Sequence, residues 1–382
     1  MPPTSPRVVV VGAGVGGLAA AVALAAHGHE VRVVEEAPAV RAGGGAVTLW
    51  PGAVAVLAGL GVDVVPLGRP LTAMERHAAD GSPQLRLDLA RAARRAGSPV
   101  VTVPRGRLVE ALAAAATEAG VVVRTGAGVA ALTGRQGEGA GVALADGDVE
   151  VADVVVGADG ARSAVRRVLH GDPIVLGPGT TWQPPPAPTG TAVDDGATCV
   201  LVVGPAGMVG LNPCGGGRTQ VWWDVRTPLP GDDDPRAALR ERFGGYRSPA
   251  ARAALDLLDD PHLPLLPYPR AAYRVHRPWG RGAVTLLGDA AHAVPPSLAQ
   301  GTNQALLDAA ALARHLPHPD GPVAGLRAYE HDAGRRARVV SALSRAELTG
   351  RDAPTPLLRA VPGAAVRAGL GAWMRASGSR AS

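Results

Sequence analysis

Lysine is absent from all 382 residues, so the 38 basic side chains are all arginine. Set among abundant Ala, Gly, Val and Pro, this is the signature of codon bias in a GC-rich genome. The formal net charge is +5, but the arginines are scattered and form no run with interleaved aromatics, which excludes a nucleic-acid partner. Cysteine is nearly absent too. Cys199 and Cys214 are too few for a disulfide framework or a zinc site, and no metal is expected. A cleavable leader layout is missing, since only Arg7 precedes the first valine run. Residues Val8 to Ala26 hold almost nothing polar and imitate a membrane span. The glycines inside that stretch, and the return to Glu30-Val31-Arg32-Val33, indicate strand, turn and buried helix instead. The expectation is a soluble, cytoplasmic protein without stable membrane association, long enough for two or three domains.

The opening reads as strand (Arg7–Val11), glycine turn, helix (about Gly16–Gly28) and strand (Glu30–Glu35), the start of a parallel α/β sheet. Helices are predicted over Pro51–Leu60 and about Gly106–Ala119. Asp80-Gly81, between Ala73–Ala79 and Gln84–Leu89, signals a hairpin, and Asp146-Gly147 a second one leading into a strand over Val151–Gly157. From Gly171 to Pro188 the chain turns rich in Pro and Gly, which marks a domain boundary. Strands follow near Thr198–Val203, Met208–Leu211 and Arg218–Val225, then helices over Asp234–Tyr246 and Pro249–Leu258. The apolar strand Ala283–Leu287 and a helix from Gly301 to Leu316 return to the first domain. The predicted organisation is a discontinuous nucleotide-binding domain (1–70, 99–170, 272–350) with an inserted antiparallel-sheet domain (71–98, 171–271) and a C-terminal helical segment (351–382).

Three separated glycine segments carry the chemistry. In Gly12-Ala13-Gly14-Val15-Gly16-Gly17, the spacing G-x-G-x-x-G falls between strand and helix. Gly12 permits a tight turn, Gly14 lets a pyrophosphate approach the backbone, and Gly17 lets helix pack on strand. Unpaired N–H groups at the helix start then face phosphates. Glu35, with Glu36 as its adjacent rival, ends the second strand where a carboxylate accepts from ribose hydroxyls. This fingerprint does not separate NAD from FAD. Asp289, at the carboxyl end of the Val284–Leu287 strand, points to FAD, because a carboxylate there repels phosphates but accepts from ribityl hydroxyls. The segment Pro295-Pro296-Ser297-Leu298-Ala299-Gln300-Gly301-Thr302-Asn303 opens a helix whose positive end suits a reduced flavin ring. A plain N-cap is the alternative for Gly288-Asp289 alone.

These segments, with Arg105 in Pro104-Arg105-Gly106-Arg107-Leu108 and Gly157-Ala158-Asp159-Gly160 running to Arg166, resemble the p-hydroxybenzoate hydroxylase family of FAD-dependent monooxygenases. The resemblance covers roughly residues 5 to 345. It implies a Rossmann-like, GR2-type FAD domain and non-covalent FAD reduced transiently by NAD(P)H, with no separate nicotinamide domain. It further implies O2 activated as a flavin C4a-hydroperoxide. Implied cofactor contacts are Gly12, Ala13, Gly14, Gly16, Gly17, Glu35, Glu36, Arg41, Thr48, Arg105, Val129, Asp289, Ala299, Gln300, Gly301, Thr302 and Asn303. Asp159 mixes structural and cofactor roles in that family, and His292 reads as a structural histidine.

Departures from the family pattern matter. Its Gly-Gln-Gly reads Ala299-Gln300-Gly301, which narrows the space beside the flavin. Its Glu-Asp reads Leu307-Asp308, which is expected to weaken a polar contact on the helix face. Gly215 to Val225 resembles the urate hydroxylase branch. The tyrosine of that branch would fall near Gln220 and its arginine near Met208, so urate is set aside. Trp222 and Trp223 are pocket candidates with Gln220 and Met208, alternation sending one tryptophan inward. Pro296, Ala299 and Gln300 would lie near the flavin, and no catalytic base is evident. The expected activity is hydroxylation or epoxidation of a small-to-medium apolar aromatic or polyketide-like molecule of secondary metabolism. The alternative is a redox-silent FAD protein that cyclises or binds such a molecule. A monomer or homodimer is expected.

Overall fold

The computed structural model describes residues 5–41, 43–134, 139–171, 174–188, 196–227, 229, 235–273, 278–294 and 299–348. Its centre is a five-stranded parallel sheet in the order Val284–Leu286, Val154–Gly157, Arg7–Val11, Glu30–Val34, Val122–Arg124. The three middle strands are nearly continuous valine because helices and the neighbouring sheets cover both faces. The helix Val15–Ala26 follows the first strand and packs on the helices Gly301–His315 and Arg105–Glu118. The first 26 residues therefore form strand, turn and buried helix, and among the described residues no helix is long and apolar enough to cross a membrane.

A second, eight-stranded sheet forms the other half. Its path runs Leu266–Tyr273, Ile174–Gln183, Arg218–Val225, Gly207–Pro213, Thr198–Gly204, Ala73–Ala78, Pro83–Asp88, with Ala187–Pro188 paired to the third of these. Period-two alternation splits it into two faces. Val209, Val221 and Trp223 point back into a core closed by the helices Pro235–Phe243 and Pro249–Asp256. The front face turns to the first half, where Cys199 packs with Trp50, Leu71, Leu89 and Val100. Two small sheets complete the fold. Ala46–Leu49, Val100–Pro104 and Arg69–Leu71 lie between the halves, and Val129–Thr133, Ala140–Leu144 and Val149–Ala152 pack against the middle strands of the parallel sheet.

One predicted strand is corrected and three elements are added. The strand over Val151–Gly157 is two strands, Val149–Ala152 and Val154–Gly157. Asp153 between them exchanges two hydrogen bonds with the backbone of Arg7, at 2.8 and 2.9 Å, and so turns the chain from one sheet to the other. The Pro/Gly-rich stretch after Gly171 contains a strand that was not foreseen, Ile174–Gln183, which pairs on both sides. Its register slips between Leu176 and Thr180, so Gly177-Pro178-Gly179 occupies a bulge, where glycine and proline are tolerated in a sheet. The helices Leu89–Ala96 and Pro322–Leu348 were not foreseen. The C-terminal segment 351–382 lies outside the described residues.

The last helix is fastened by one carboxylate. Glu330 accepts from the backbone N–H of Trp279 and Gly280, both at 3.1 Å, and from Thr285 Oγ1 at 2.7 Å, and pairs with Arg327 at 2.8 Å. Burial raises its pKa, against the pull of Thr285, Arg327 and the two amides. Glu330→Ala strands these buried donors, and urea unfolding is expected to show a loss of about 3–5 kcal/mol.

Candidate active site

The glycine turn is built from close backbone approaches. Gly12 has φ +104, and a Cβ there would lie 2.6 Å from Ala158 O; one on Gly17 would lie 1.9 Å from Gly12 O. Gly157-Ala158-Asp159 is thus locked against the fingerprint, a contact between segments nearly 150 positions apart. A Cβ on Gly14 would meet nothing within 4 Å. The first bond of the following helix is Leu18 N–H to Gly14 O, and no side chain caps it. Open space over Gly14 and first-turn N–H groups facing it make the cradle that a pyrophosphate requires. Gly16 instead packs on Leu287 and Ala305, where a Cβ would come within 2.9 Å.

Glu35 and Glu36 separate cleanly. Glu35 turns inward and accepts from Ala13 N–H at 2.7 Å and Ala37 N–H at 2.9 Å. Glu36 turns outward to a loose, exposed pair with Arg41. The turn Gly126-Ala127-Gly128 closes over the same strand end through Gly126 N–H to Ala37 O and Ala127 N–H to Glu35 O, and places Val129 beside it.

Asp289 opens the short helix Asp289–His292, and a Cβ on Gly301 would lie 3.3 Å from its Oδ1. Its carboxylate therefore sits at the N-terminus of the helix Gly301–His315, whose own first bond is Gln304 N–H to Gln300 O. Burial raises the Asp289 pKa, opposed by the charges of His292, Arg105 and Arg166. Arg105 is the exposed first residue of its helix, with its N–H on Gly45 O at 2.9 Å. Its guanidinium stem passes Gly44, which has φ +117. Arg166 is buried and was not singled out as a site residue. Its guanidinium donates to Ala290 O at 3.1 Å and Ala161 O at 2.7 Å, tying the Asp159 segment to the Asp289 helix. Asp159 caps the helix Ala164–His170 by accepting from Ala164 and Val165 N–H. Burial pushes its pKa up, opposed by Ser163 and those amides.

Behind Asp289 stands Asp308, fully buried. It accepts from His292 Nε2 at 2.5 Å, Gly288 N–H at 3.2 Å and Arg336 at 3.2 Å. Of the Leu307-Asp308 pair, the retained carboxylate thus holds three partners. His292, which also stacks on Trp279 with centroids 5.2 Å apart, is structural. Burial pulls its pKa down, but the charge and hydrogen bond of Asp308, with Asp289, outweigh this and hold it above 6.5.

The remaining candidates lie around the start of the helix Gly301–His315 and on the facing sheet. Asn303 spends its side chain on Trp50 N–H, Thr48 O and Ala299 O. Thr48 accepts at Oγ1 from Asn212 at 2.7 Å. Gln300 is buried and accepts from Gln304. Thr302 lies in the first turn of its helix, half-buried. Ala299 has φ +50 and is the one non-glycine among the described residues in the left-handed region. Such a conformation costs an alanine about 1 kcal/mol relative to glycine. Pro296 lies outside the described residues. On the facing sheet, Trp223 is back-face core, while Trp222 lies on the front face over Gly210, where a Cβ would be 2.0 Å from its ring. Met208 shares that face, half-buried. Gln220 is buried, and its amide accepts from Ala46 N–H and donates to Pro184 O and Val221 O.

A family model described as an FAD binding domain matches residues 6–344. The chain belongs to this FAD-dependent monooxygenase family. Aurachin C monooxygenase/isomerase of Stigmatella aurantiaca is 32% identical over 82% of this chain and 81% of its own. The 3-amino-4-hydroxybenzoate 2-monooxygenase of Streptomyces cremeus is 33% identical over 85% and 82%. Among solved structures, Klebsiella pneumoniae HpxO complexed with FAD and uric acid superimposes with a TM-score of 0.84 at 27% identity, covering 97% of each chain. The protein is an FAD-dependent oxidoreductase of the monooxygenase type, for which NAD(P)H is the typical reductant.

Two expectations follow. Asp289→Ala should weaken FAD about tenfold to a hundredfold while leaving the apoprotein melting temperature near wild type. Asp308→Ala, which strands His292 and Arg336, should instead cost about 3–5 kcal/mol of stability and lose FAD only as the fold loosens; titration and melting of both variants separate the two effects. The raised His292 pKa gives stability that is complete below pH 6.5 and is lost as pH rises through the folded-state value. Apoprotein melting from pH 6 upward, compared with His292→Gln, should show a flatter decline in the variant.

Proposed function

We propose that this enzyme hydroxylates or epoxidises a neutral, small-to-medium aromatic or polyketide-like molecule held between the Asp289 end of the parallel sheet and the front face of the large sheet. In this reading residues 1–70, 99–170 and 272–350 hold the cofactor, and 71–98 with 171–271 hold the substrate. Gly12, Gly14 and the first turn after them take the pyrophosphate. Glu35 takes the adenosine ribose, Asp289 the ribityl chain, and Arg105 the ribose or pyrophosphate. The loop from Ala299 to the helix start at Gly301–Asn303 borders the flavin ring. Bound FAD supplies hydride acceptance from NAD(P)H and activation of O2. The chain's own part is to orient the two reactants and to keep water out.

The observation that carries the substrate class is the chemistry of the front face around Gly210. Met208 and Trp222 are uncharged, and the Gln220 amide is already spent on backbone. This favours recognition by apolar contact and shape over pairing with an anion. The urate and aminohydroxybenzoate named for the relatives are thus less suited to this face than a neutral fused ring. The engaged Gln220 also leaves no proton acceptor at that position, which is what keeps the redox-silent reading alive. We place the enzyme in the cytoplasm as a monomer or homodimer acting on small molecules, with no nucleic-acid partner and no stable membrane association.

The holoenzyme should oxidise NADH or NADPH faster when neutral bicyclic phenols such as naphthols are added, with one atom of 18O2 entering the product, and urate should give no stimulation. Conversion of a member of such a panel without NAD(P)H consumption would establish the redox-silent reading instead.

A further inference from the structure

The chain has only two asparagines, Asn212 and Asn303, and both lie on the seam between its halves. Asn212 and Gln220 are cross-strand partners on the front face of the large sheet. Each reaches the same strand of the other half, Ala46–Leu49, at alternate positions. Gln220 Oε1 accepts from Ala46 N–H at 2.7 Å, and Asn212 Nδ2 donates to Thr48 Oγ1 at 2.7 Å while its Oδ1 accepts from Thr102 at 3.0 Å. The approach is close: a Cβ on Gly45 would lie 2.7 Å from Gln220 Oε1.

Both ends of that strand lead to groups assigned to FAD. Before it, Gly45 O receives Arg105 N–H. At its far end, Asn303 takes Trp50 N–H on its Oδ1, and its Nδ2 donates to Thr48 O at 2.8 Å and Ala299 O at 2.6 Å. Asn212, Gln220, Asn303 and Thr102 are all at least 95% buried. Buried, paired amides resist displacement, because breaking one bond leaves an orphaned donor or acceptor. The flavin-side loop is therefore registered against the sheet that carries Gly210 and Trp222.

We propose that Asn212 and Gln220 are positioning residues, a two-point latch through which the substrate sheet sets the placement of Arg105 and of the Ala299 loop around FAD. The proposal rests on the reading that this loop borders the flavin. It assigns Gln220 a role toward the cofactor side in place of one as a pocket-lining group.

The test uses holoenzyme and two readouts that need no substrate: FAD dissociation constant, and quenching of bound-flavin fluorescence by iodide at saturating FAD. Thr48→Val and Gln220→Met should each weaken FAD about tenfold and make the flavin more accessible to iodide. Thr48→Ser keeps the acceptor and should match wild type in both. Val209→Ala removes volume from the back-face core of the same sheet and should lower the melting temperature with neither flavin readout moved. Wild-type values in Thr48→Val overturn the latch. So does a Val209→Ala variant that moves iodide access as far as Gln220→Met. Should Gln220→Met not fold, the Thr48→Val and Thr48→Ser pair decides. If Asp289→Ala also binds FAD as wild type, the cofactor assignment itself falls; if Asp289→Ala is weak and Thr48→Val is not, only the latch does.

Discussion

A carboxylate buried without solvent must be surrounded by donors, and at Asp308 that requirement organises the whole C-terminal half of the cofactor side. Three partners converge on it from three elements: the amide after the last parallel strand, the histidine of the short helix that begins at Asp289, and an arginine from the final long helix. Removing any of them leaves charge uncompensated in a low-dielectric interior, which is far costlier than the net worth of the intact cluster. The short helix has only four residues and could not hold its shape alone. Its orientation, and hence the aim of Asp289, is inherited from a group one layer deeper.

The same logic, polar groups spent on positioning, runs through the seam between the halves. Asn303, Asn212 and Gln220 use their amides to fix backbone or a neighbouring hydroxyl, and what faces inward between them is methionine, glycine and an indole. A surface of that composition distinguishes molecules by shape. Rigid walls matter more here than in a charged site, because apolar contacts give little directional guidance.

Much of this was legible in the sequence, for identifiable reasons. Glycine spacing encodes backbone approaches that tolerate no Cβ at Gly12 and Gly17 and open space over Gly14, so the fingerprint is readable at sight, and the valine runs announce strands buried on both faces. The hairpin at Asp80-Gly81 follows from turn chemistry. What was missed has physical causes too. The strand Ile174–Gln183 is disguised because its bulge consumes the glycines and proline that usually mark loops. Asp308 was underrated since its partners lie 16 to 28 positions away in a fold not yet assembled. Gln220 looked like a pocket residue, and Asn212 went unremarked, because strand alternation tells which face a side chain takes, not what it meets there. Arg166 stood in a quoted segment, yet an arginine in a sequence without lysine carries little signal of its own.

Glu35 has a consequence for how the apoprotein meets its cofactor. Each of its oxygens already accepts one backbone amide, so the side chain's rotamer is chosen before any ligand arrives, and each oxygen keeps a second lone pair. Two acceptors at fixed spacing match the geometry of a vicinal diol, and no torsion of a mobile acid is left to freeze. The entropy of ordering that carboxylate was spent during folding, by the same turn that forms the phosphate cradle. Folding and cofactor capture are in this respect one event carried out in two stages.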